Sequence, residues 1–398
     1  MKIVFINLHM NVFFVKTIDL LLRKAKIIAF KHKFLLDYAI ESKMDIYNYV
    51  TDFVFSLFKG RFHGRIKKIF SVLESNSVLR KNGLKQIKKI KSLDILTPDD
   101  IVLVHYYFPD QMEALKNIKA KKVVLGNHFI RLSYDGDFDK LGVDYFVNEI
   151  DLSKNIFINK YFNLKREKHL IMPYIFQERF VVKKDFRDRR NKAMAVGTCS
   201  TVSGAGYEEY ERFAGTPWVQ PMRKEILEKK DTLSDIIDSF ISYIHEDAKE
   251  KEINKSENKI SKLMKVFHNY YYGGNRQTKY YSFDMVEKFN EYKMFVCPEE
   301  LVGMPGIGFV EGMACGCAYI GLDSEMYTCL GLIPKKHYIA YNGTLEDLRA
   351  KCEYYMQNEA ELENIAMEGC KFVRTNFNCH TVAENFFNKI TGKADENV

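Results

Sequence analysis

The stretch KMFVCPEELVGMPGIGFVEGMACGCAYIG, residues 293–321, decides the fold. KMFVC at 293–297 reads as a buried strand, and CAYIG at 317–321 as a second one. Between them lie a loop carrying Gly303, Met304, Pro305, Gly306, Ile307 and Gly308, and a helix that starts near Ile307. Small residues let a ligand approach the backbone closely, and N–H groups at a helix start favour phosphate. The arrangement suits a nucleotide diphosphate. Glu311, about one turn into the helix, is placed to accept hydrogen bonds from ribose hydroxyls, and Ala314 and Gly316 permit tight packing behind it. An ordinary packed crossover is the competing reading of the same residues.

Working outward, short apolar runs alternate with helical stretches, as in parallel sheets wrapped by helices. The strands expected in the first half are 2–6, 101–105, 121–126, 144–148 and 169–173. A second series follows the polar run KKDFRDRRNK at 183–192, with strands expected at 193–197, 266–272, 293–297 and 317–321. The restart predicts a second α/β domain. Residues 205–264, including EDAKEKEINKSENKISK, read as an insertion or elaborated loop, and the C-terminus as successive amphipathic helices with Thr344 and Asn378 as N-caps.

With 398 residues, 46% hydrophobic and 28% charged, the chain is a globular protein of two domains, or at most three. No apolar run approaches the roughly 18–20 residues of a membrane-crossing helix. The opening MKIVFINLHMN is too short for a signal-peptide core, so a cytoplasmic location is expected. All eight cysteines lie at or after Cys199 with no CxxC pair, which suggests neither a secreted disulfide framework nor a zinc ribbon. Cys297, Cys315 and Cys317 read as small core residues. The net charge of +8 is concentrated: residues 16–91 hold 18 Lys and Arg against 6 Asp and Glu, while the rest of the chain sums to −4. Aromatics interleave with KGRFHGRIKK and KQIKKIK there. Amphipathic helices with a solvated lysine face, or contact with an anionic membrane surface, both fit. No nucleic-acid motif accompanies the basic segment, and no nucleic-acid partner is expected.

VGMPGIGFVEGMACGCAYIG resembles the donor-site signature of GT-B glycosyltransferases of family 4, the group 1 glycosyl transferases. MPYIFQERF at 172–180, AMAVG at 193–197 and TLEDLRAKCEYYMQNEAELENIAMEGCKFVRTNFN at 344–378 resemble further segments of that family in the expected order. The resemblance implies an α/β GT-B fold, two Rossmann-like domains facing a central cleft, here with an extra helical region in the N-terminal domain. Residues 1–185 would be the acceptor domain, 186–375 the nucleotide-sugar domain, and 376–398 a helix returning to the first. It implies a retaining transfer from a UDP- or GDP-sugar to a glycan or lipid-linked acceptor in polysaccharide or lipopolysaccharide assembly, without cofactor or metal. An inverting exostosin-like transferase is an alternative, because FVCPEE followed by VEGMACGC resembles that donor segment too. A nonenzymatic nucleotide-sugar or membrane-binding protein of the same fold is another.

Site residues carry over only where this chain matches. Glu311 would orient the donor ribose, and His128 would contact the transferred sugar or the acceptor. The family's second Glu, eight positions before the first, falls on Gly303 here, so Glu299 or Glu300 would replace it. The usual Arg and Lys after the first strand of the second domain are missing from GTCSTVSGAG. Arg223 and Lys224, or Arg276 and Lys279, are the replacement cations for the diphosphate, since phosphate needs charge-assisted donors; ordinary surface charge is the alternative for each. The glycine turn expected after the first N-terminal strand is also absent. His105 and Asn127, at strand ends, are acceptor-side candidates. DGDFD at 135–139 has the form of a metal-binding Asp-x-Asp, but reads better as a solvated loop.

Overall fold

In a computed structural model of the chain, the described residues are 1–8, 13–14, 28–29, 32–50, 72, 75–76, 79–80, 83–84, 86–105, 115–126, 142–155, 157, 169–201, 208–243, 283–300 and 303–393. They divide into two compact units, Met1–Pro173 with Cys379–Val398, and Tyr174–Asn378. The chain therefore leaves the first unit after Pro173, twelve residues earlier than the expected boundary at 185.

The first unit is built on β1 (Ile3–Ile6), β2 (Ile46–Tyr49), β3 (Lys88–Lys89), β4 (Ile101–His105), β5 (Lys121–Leu125), β6 (Tyr145–Asn148) and β7 (His169–Ile171). They form one sheet in the order β3-β2-β1-β4-β5-β6-β7, every pair parallel. Parallel strands covered on both faces read as unbroken apolar runs, and all four residues of β1 are buried. The order reverses between β1 and β4, which places a ligand crevice beyond the carboxyl ends of those two strands.

β2 and β3 correct the reading of residues 16–91 as a helical region. Its described part holds α1 (Lys33–Glu41) and helical residues at 72, 75–76 and 79–80, but also two strands of the main sheet and the strand Ile28–Ala29, which pairs antiparallel with Phe13–Phe14 just before the segment. IYNY alternates buried and half-buried positions with an asparagine inside, and β3 is two exposed lysines, so neither shows the apolar run that marks a central strand. Lysines suit an exposed sheet edge because they discourage pairing with another chain. Lys88 is anchored there by Asp45 at 2.7 Å and lies over the Tyr47 ring.

The turn after β1 is made without glycine. Asn7 takes φ 50°, a left-handed conformation that asparagine tolerates better than most residues. The Leu8 amide then donates to Asn48 Oδ1 at 3.0 Å, and Asn48 Nδ2 donates to Ser75 Oγ at 3.0 Å.

The second unit contains, in chain order, β8 (Arg190–Ala195), β9 (Thr198–Cys199), α2 (Glu208–Ala214), α3 (Pro221–Glu228), β10 (Ile237–Ser239), β11 (Ser242–Tyr243), α4 (Met285–Glu291), β12 (Tyr292–Val296), α5 (Gly308–Ala314), β13 (Ala318–Leu322), α6 (Glu325–Thr328), β14 (Ile339–Tyr341), α7 (Leu345–Gln357) and α8 (Glu359–Asn376). Its main sheet is parallel in the order β10-β8-β12-β13-β14, while β9 pairs with β11 in a small parallel sheet of its own. Where the sequence suggests an insertion at 205–264, the described residues 208–243 supply α3 and the edge strand β10. The short, half-polar IDS of β10 gives no hydropathy signal. The strand expected at 266–272 lies outside the described residues.

One sheet face packs Ala193, Ala195, Met294, Val296, Ala318 and Ile320 against Leu348, Cys352, Leu362 and Ile365 of α7 and α8. On β12, Phe295 faces α5, and the helix comes close because Gly312 has no side chain. A Cβ there would stand 2.3 Å from the Phe295 ring. Cys297, Cys315 and Cys317 are all buried. Arg189, before β8, donates to the Cys315 and Gly316 carbonyls at the end of α5, at 2.9 and 3.0 Å, where a cation complements the helix dipole. Thr344 caps α7 by accepting from Asp347 N at 3.2 Å. Asn378 instead donates to the Arg374 and Thr375 carbonyls that end α8.

The chain finishes in the first unit with α9 (Cys379–Thr391), packed on α1. Tyr38 lies between His380 and Phe387, with ring centroids at 5.2 and 5.7 Å, and Lys121 Nζ donates to the Ile390 carbonyl at 2.8 Å. No helix among the described residues is long and apolar enough to cross a membrane.

Candidate active site

In the second unit the strand order reverses between β8 and β12, so the loops leaving these two strands flank the crevice of this sheet. The loop after β8 turns at Gly197, whose φ of 137° is open to glycine and strained for other residues. It is also crowded: a Cβ on Gly197 would stand 2.8 Å from Cδ and Nε of Arg223. That arginine comes from α3, which starts with Pro221 at its first position after Gln220. Gln220 Oε1 accepts from the Ser200 amide at 3.0 Å and so ties the β8 loop to the start of the helix.

Arg223 is 3% exposed, and a buried cation needs partners. Its Nε donates to the Pro298 carbonyl at 2.8 Å; its Nη1 donates to the Thr198 carbonyl at 3.2 Å and to Glu300 Oε1 at 3.1 Å. One guanidinium thus joins the β8 loop to the β12 loop. Lys224, the next residue on α3, does something else: it pairs with Glu228 at 2.7 Å and lies over the Trp218 ring.

The β12 loop is closed on itself. Glu300 and Met304 exchange two backbone hydrogen bonds of 2.7 Å, and Gly303 between them has φ 85°. Beyond this turn Gly306 passes over the cation, where a Cβ would lie 3.4 Å from Arg223 Nη2 and 3.9 Å from both Cys297 Sγ and Glu300 Oε1. Gly308 rests on the Cys297 thiol, which a Cβ would approach to 2.8 Å. Burial pushes that thiol up to about 11 even though Arg223 acts against it, so Cys297 fills space and is no nucleophile at neutral pH. Ile307, between the two glycines, is 42% exposed.

Glu311 follows in the first turn of α5 and is half-buried. Burial raises its carboxyl to about 7, with Arg179 pulling the other way. Its side chain accepts no hydrogen bond among the described residues, which leaves a carboxylate whose acceptor capacity is unspent by the fold.

Glu299 behaves differently. Its Oε1 accepts from the Leu322 amide at 2.8 Å and from Tyr327 Oη at 2.7 Å, and its Oε2 accepts from Tyr341 Oη at 3.3 Å. The sequence offered Glu299 only as an alternative to Glu300. The signal that would have found its role is four tyrosines, 319, 327, 338 and 341, closely spaced after the loop, because buried phenols seek acceptors.

The structure therefore brings Arg223, Glu300, Met304, Pro305, Gly306, Ile307 and Gly308 together around one loop, with Gly303 in its turn and Glu311 just beyond. His105 ends β4 opposite Leu125 in the first unit. Asn127, His128, Arg276, Lys279 and the DGDFD run lie outside the described residues. Among the described residues no group of His, Cys, Asp and Glu could hold a metal ion.

Residues 258–388 match the family described as "Glycosyl transferase-like". No curated protein matches the chain. Among solved structures, the Anabaena protein HepE in complex with UDP and glucose is similar over 98% of this chain and 100% of its own, at 11% identity and a TM-score of 0.51. A glycosyltransferase from Rickettsia africae ESF-5 is similar over 100% of this chain and 99% of its own, at 10% identity and a TM-score of 0.52. At such identities the likeness is one of fold: two Rossmann-like domains of the GT-B kind.

Proposed function

We propose that this chain, whose residues 258–388 match a glycosyl transferase-like family and whose fold is similar to GT-B structures, is a group 1-like glycosyltransferase that transfers a sugar from a UDP- or GDP-sugar, with retention of configuration, to a glycan or lipid-linked acceptor in cell-surface polysaccharide or lipopolysaccharide assembly. The observation that carries the donor assignment is the glycine loop 303–308 passing over a buried arginine, with the unspent carboxylate of Glu311 one turn on. UDP as the nucleotide draws support from the HepE complex.

In this reading the loop backbone and the Arg223 charge stabilise the diphosphate as it leaves. Fixed dipoles and charges at a developing anion are the largest electrostatic contribution such a site can make. Glu311 accepts hydrogen bonds from the ribose hydroxyls. Glu300, held against Arg223, stands toward the sugar, and His128, with His105 and Asn127, serves the acceptor side. Arg276 and Lys279 are further diphosphate ligands, and the metal-free character of the reaction follows from the GT-B resemblance. The basic segment 16–91 brings a cytoplasmic enzyme to the anionic inner leaflet, where lipid-linked acceptors reside.

The test is release of nucleotide from a panel of UDP- and GDP-sugars with and without EDTA, using lipid-linked glycan in anionic vesicles as acceptor. Acceptor-dependent release that survives EDTA supports the reading. Absence of release from every donor overturns it.

A further inference from the structure

We propose that Glu299 is a positioning residue for the donor loop: its buried carboxylate, fixed by donors from β13, α6 and β14, sets where residues 300–308 stand above the sheet. The inference rests on reading that loop as the donor site. Glu299 is 8% exposed and forms no ion pair among the described residues, so hydrogen bonds alone offset its desolvation. Three converge on it: the Leu322 amide and the Tyr327 and Tyr341 hydroxyls. Tyr319 Oη lies 2.5 Å from Tyr327 Oη. Tyr319 Oη also donates toward the Cys297 carbonyl at 3.4 Å, so these hydroxyls and the carboxylate form one buried polar cluster. Burial and the Glu299 charge hold the Tyr319, Tyr327 and Tyr341 hydroxyls well above their ordinary range, so they stay donors.

The geometry carries this to the loop in two ways. Glu299 fixes the Leu322 amide, and the Leu322 side chain sits where a Cβ on Gly303 would be 3.5 Å from its Cδ2. The turn closed by Glu300 and Met304 therefore rests on a residue that Glu299 holds. In addition, the adjacent carboxylates of Glu299 and Glu300 reach different partners. Fixing Glu299 toward the body of the unit leaves Glu300 directed at Arg223, 3.1 Å away. Neighbouring carboxylates thus divide the work, one holding the loop and the other facing the cation.

Tyr338 provides an internal control. It packs in the same ring cluster, 5.2 Å from Tyr327 between centroids, yet its hydroxyl is buried without a hydrogen-bond partner among the described residues. Replacing it by Phe removes no bond.

The experiment measures calorimetric affinity for UDP and for GDP, together with amide hydrogen exchange at Glu300 and Met304, in the wild type and in Glu299→Gln, Tyr327→Phe, Tyr341→Phe and Tyr338→Phe. Glu299→Gln and Tyr327→Phe should weaken the bound nucleotide about tenfold, equivalent to about 1.4 kcal/mol, and accelerate exchange at both amides. Tyr341→Phe should have a smaller effect, and Tyr338→Phe none. If Glu299→Gln does not fold, the two tyrosine variants carry the test, each losing a single hydroxyl. Affinity and exchange in Tyr327→Phe equal to those in Tyr338→Phe overturn the proposal. If the wild type binds neither nucleotide, the donor-site reading falls, and exchange alone decides whether Glu299 positions the loop.

Discussion

Each unit turns its chain sharply after its first strand, and the two turns are built from opposite materials. After β1 the left-handed residue is Asn7, and the following amide is held by the side chain of Asn48. After β8 it is Gly197, at a φ of 137° that strains any other residue, with Arg223 packed where a side chain would begin. A turn supported by a neutral side-chain amide tolerates an ordinary L-residue. A turn folded over a buried cation does not, because the backbone itself must come within contact of the guanidinium. The buried cation thus belongs to the turn of the second unit.

The hardest way to break it is to remove the cation. Arg223→Ala removes the ion pair to the half-buried Glu300 and the donor to the Pro298 and Thr198 carbonyls, and loss of these charge-assisted hydrogen bonds should cost on the order of 3 kcal/mol. Urea denaturation should show that loss, and UDP affinity should fall with it. Gly197→Ala should cost less, about 2–3 kcal/mol, from backbone strain plus displacement of Arg223. The matched change in the other unit, Asn7→Gly, keeps the left-handed conformation, so its cost is that of emptying a buried side chain, about 1–2 kcal/mol. Equal losses for Gly197→Ala and Asn7→Gly would erase the distinction between the two turns.

Glu311 sharpens the comparison through pH. Its folded value, about 7, lies above the ordinary 4.5, so the folded chain keeps that proton longer than the unfolded chain. The corresponding stability is fully present below about pH 4.5 and is lost as pH rises through 7. Between pH 5 and 8 the wild type should therefore lose about 2 kcal/mol relative to Glu311→Gln, an amount reduced for the partial exposure of the group. Parallel stability curves for the two proteins would show that the site does not strain this carboxylate.

These contrasts also show what the sequence made legible. The 293–321 stretch displayed both strands, the loop and the helix because buried parallel strands and small-residue helices leave a dense apolar and glycine pattern. The strands β2, β3 and β10 left none: an alternating IYNY, two lysines and a half-polar IDS carry backbone pairing that side-chain hydropathy does not report. Arg223 and Lys224 were equivalent candidates in the sequence. Helix phase separated them, since adjacent residues sit about 100° apart on α3, one under the loop and the other over Trp218. Glu299 and Glu300, adjacent in the loop after β12, are divided by their partners. The partners that distinguish them, Leu322, Tyr327 and Tyr341 on one side and Arg223 on the other, are remote in sequence.

The central claim is that the loop over Arg223 binds a nucleotide diphosphate whose ribose meets Glu311. Calorimetric titration of UDP and GDP into the wild type and Glu311→Ala tests it most directly. One of the two nucleotides should bind the wild type, and Glu311→Ala should weaken it by about 1–3 kcal/mol, the worth of hydrogen bonds to a charged acceptor, while the protein stays folded. Unchanged affinity in a folded Glu311→Ala, or no binding of either nucleotide to the wild type, would contradict it.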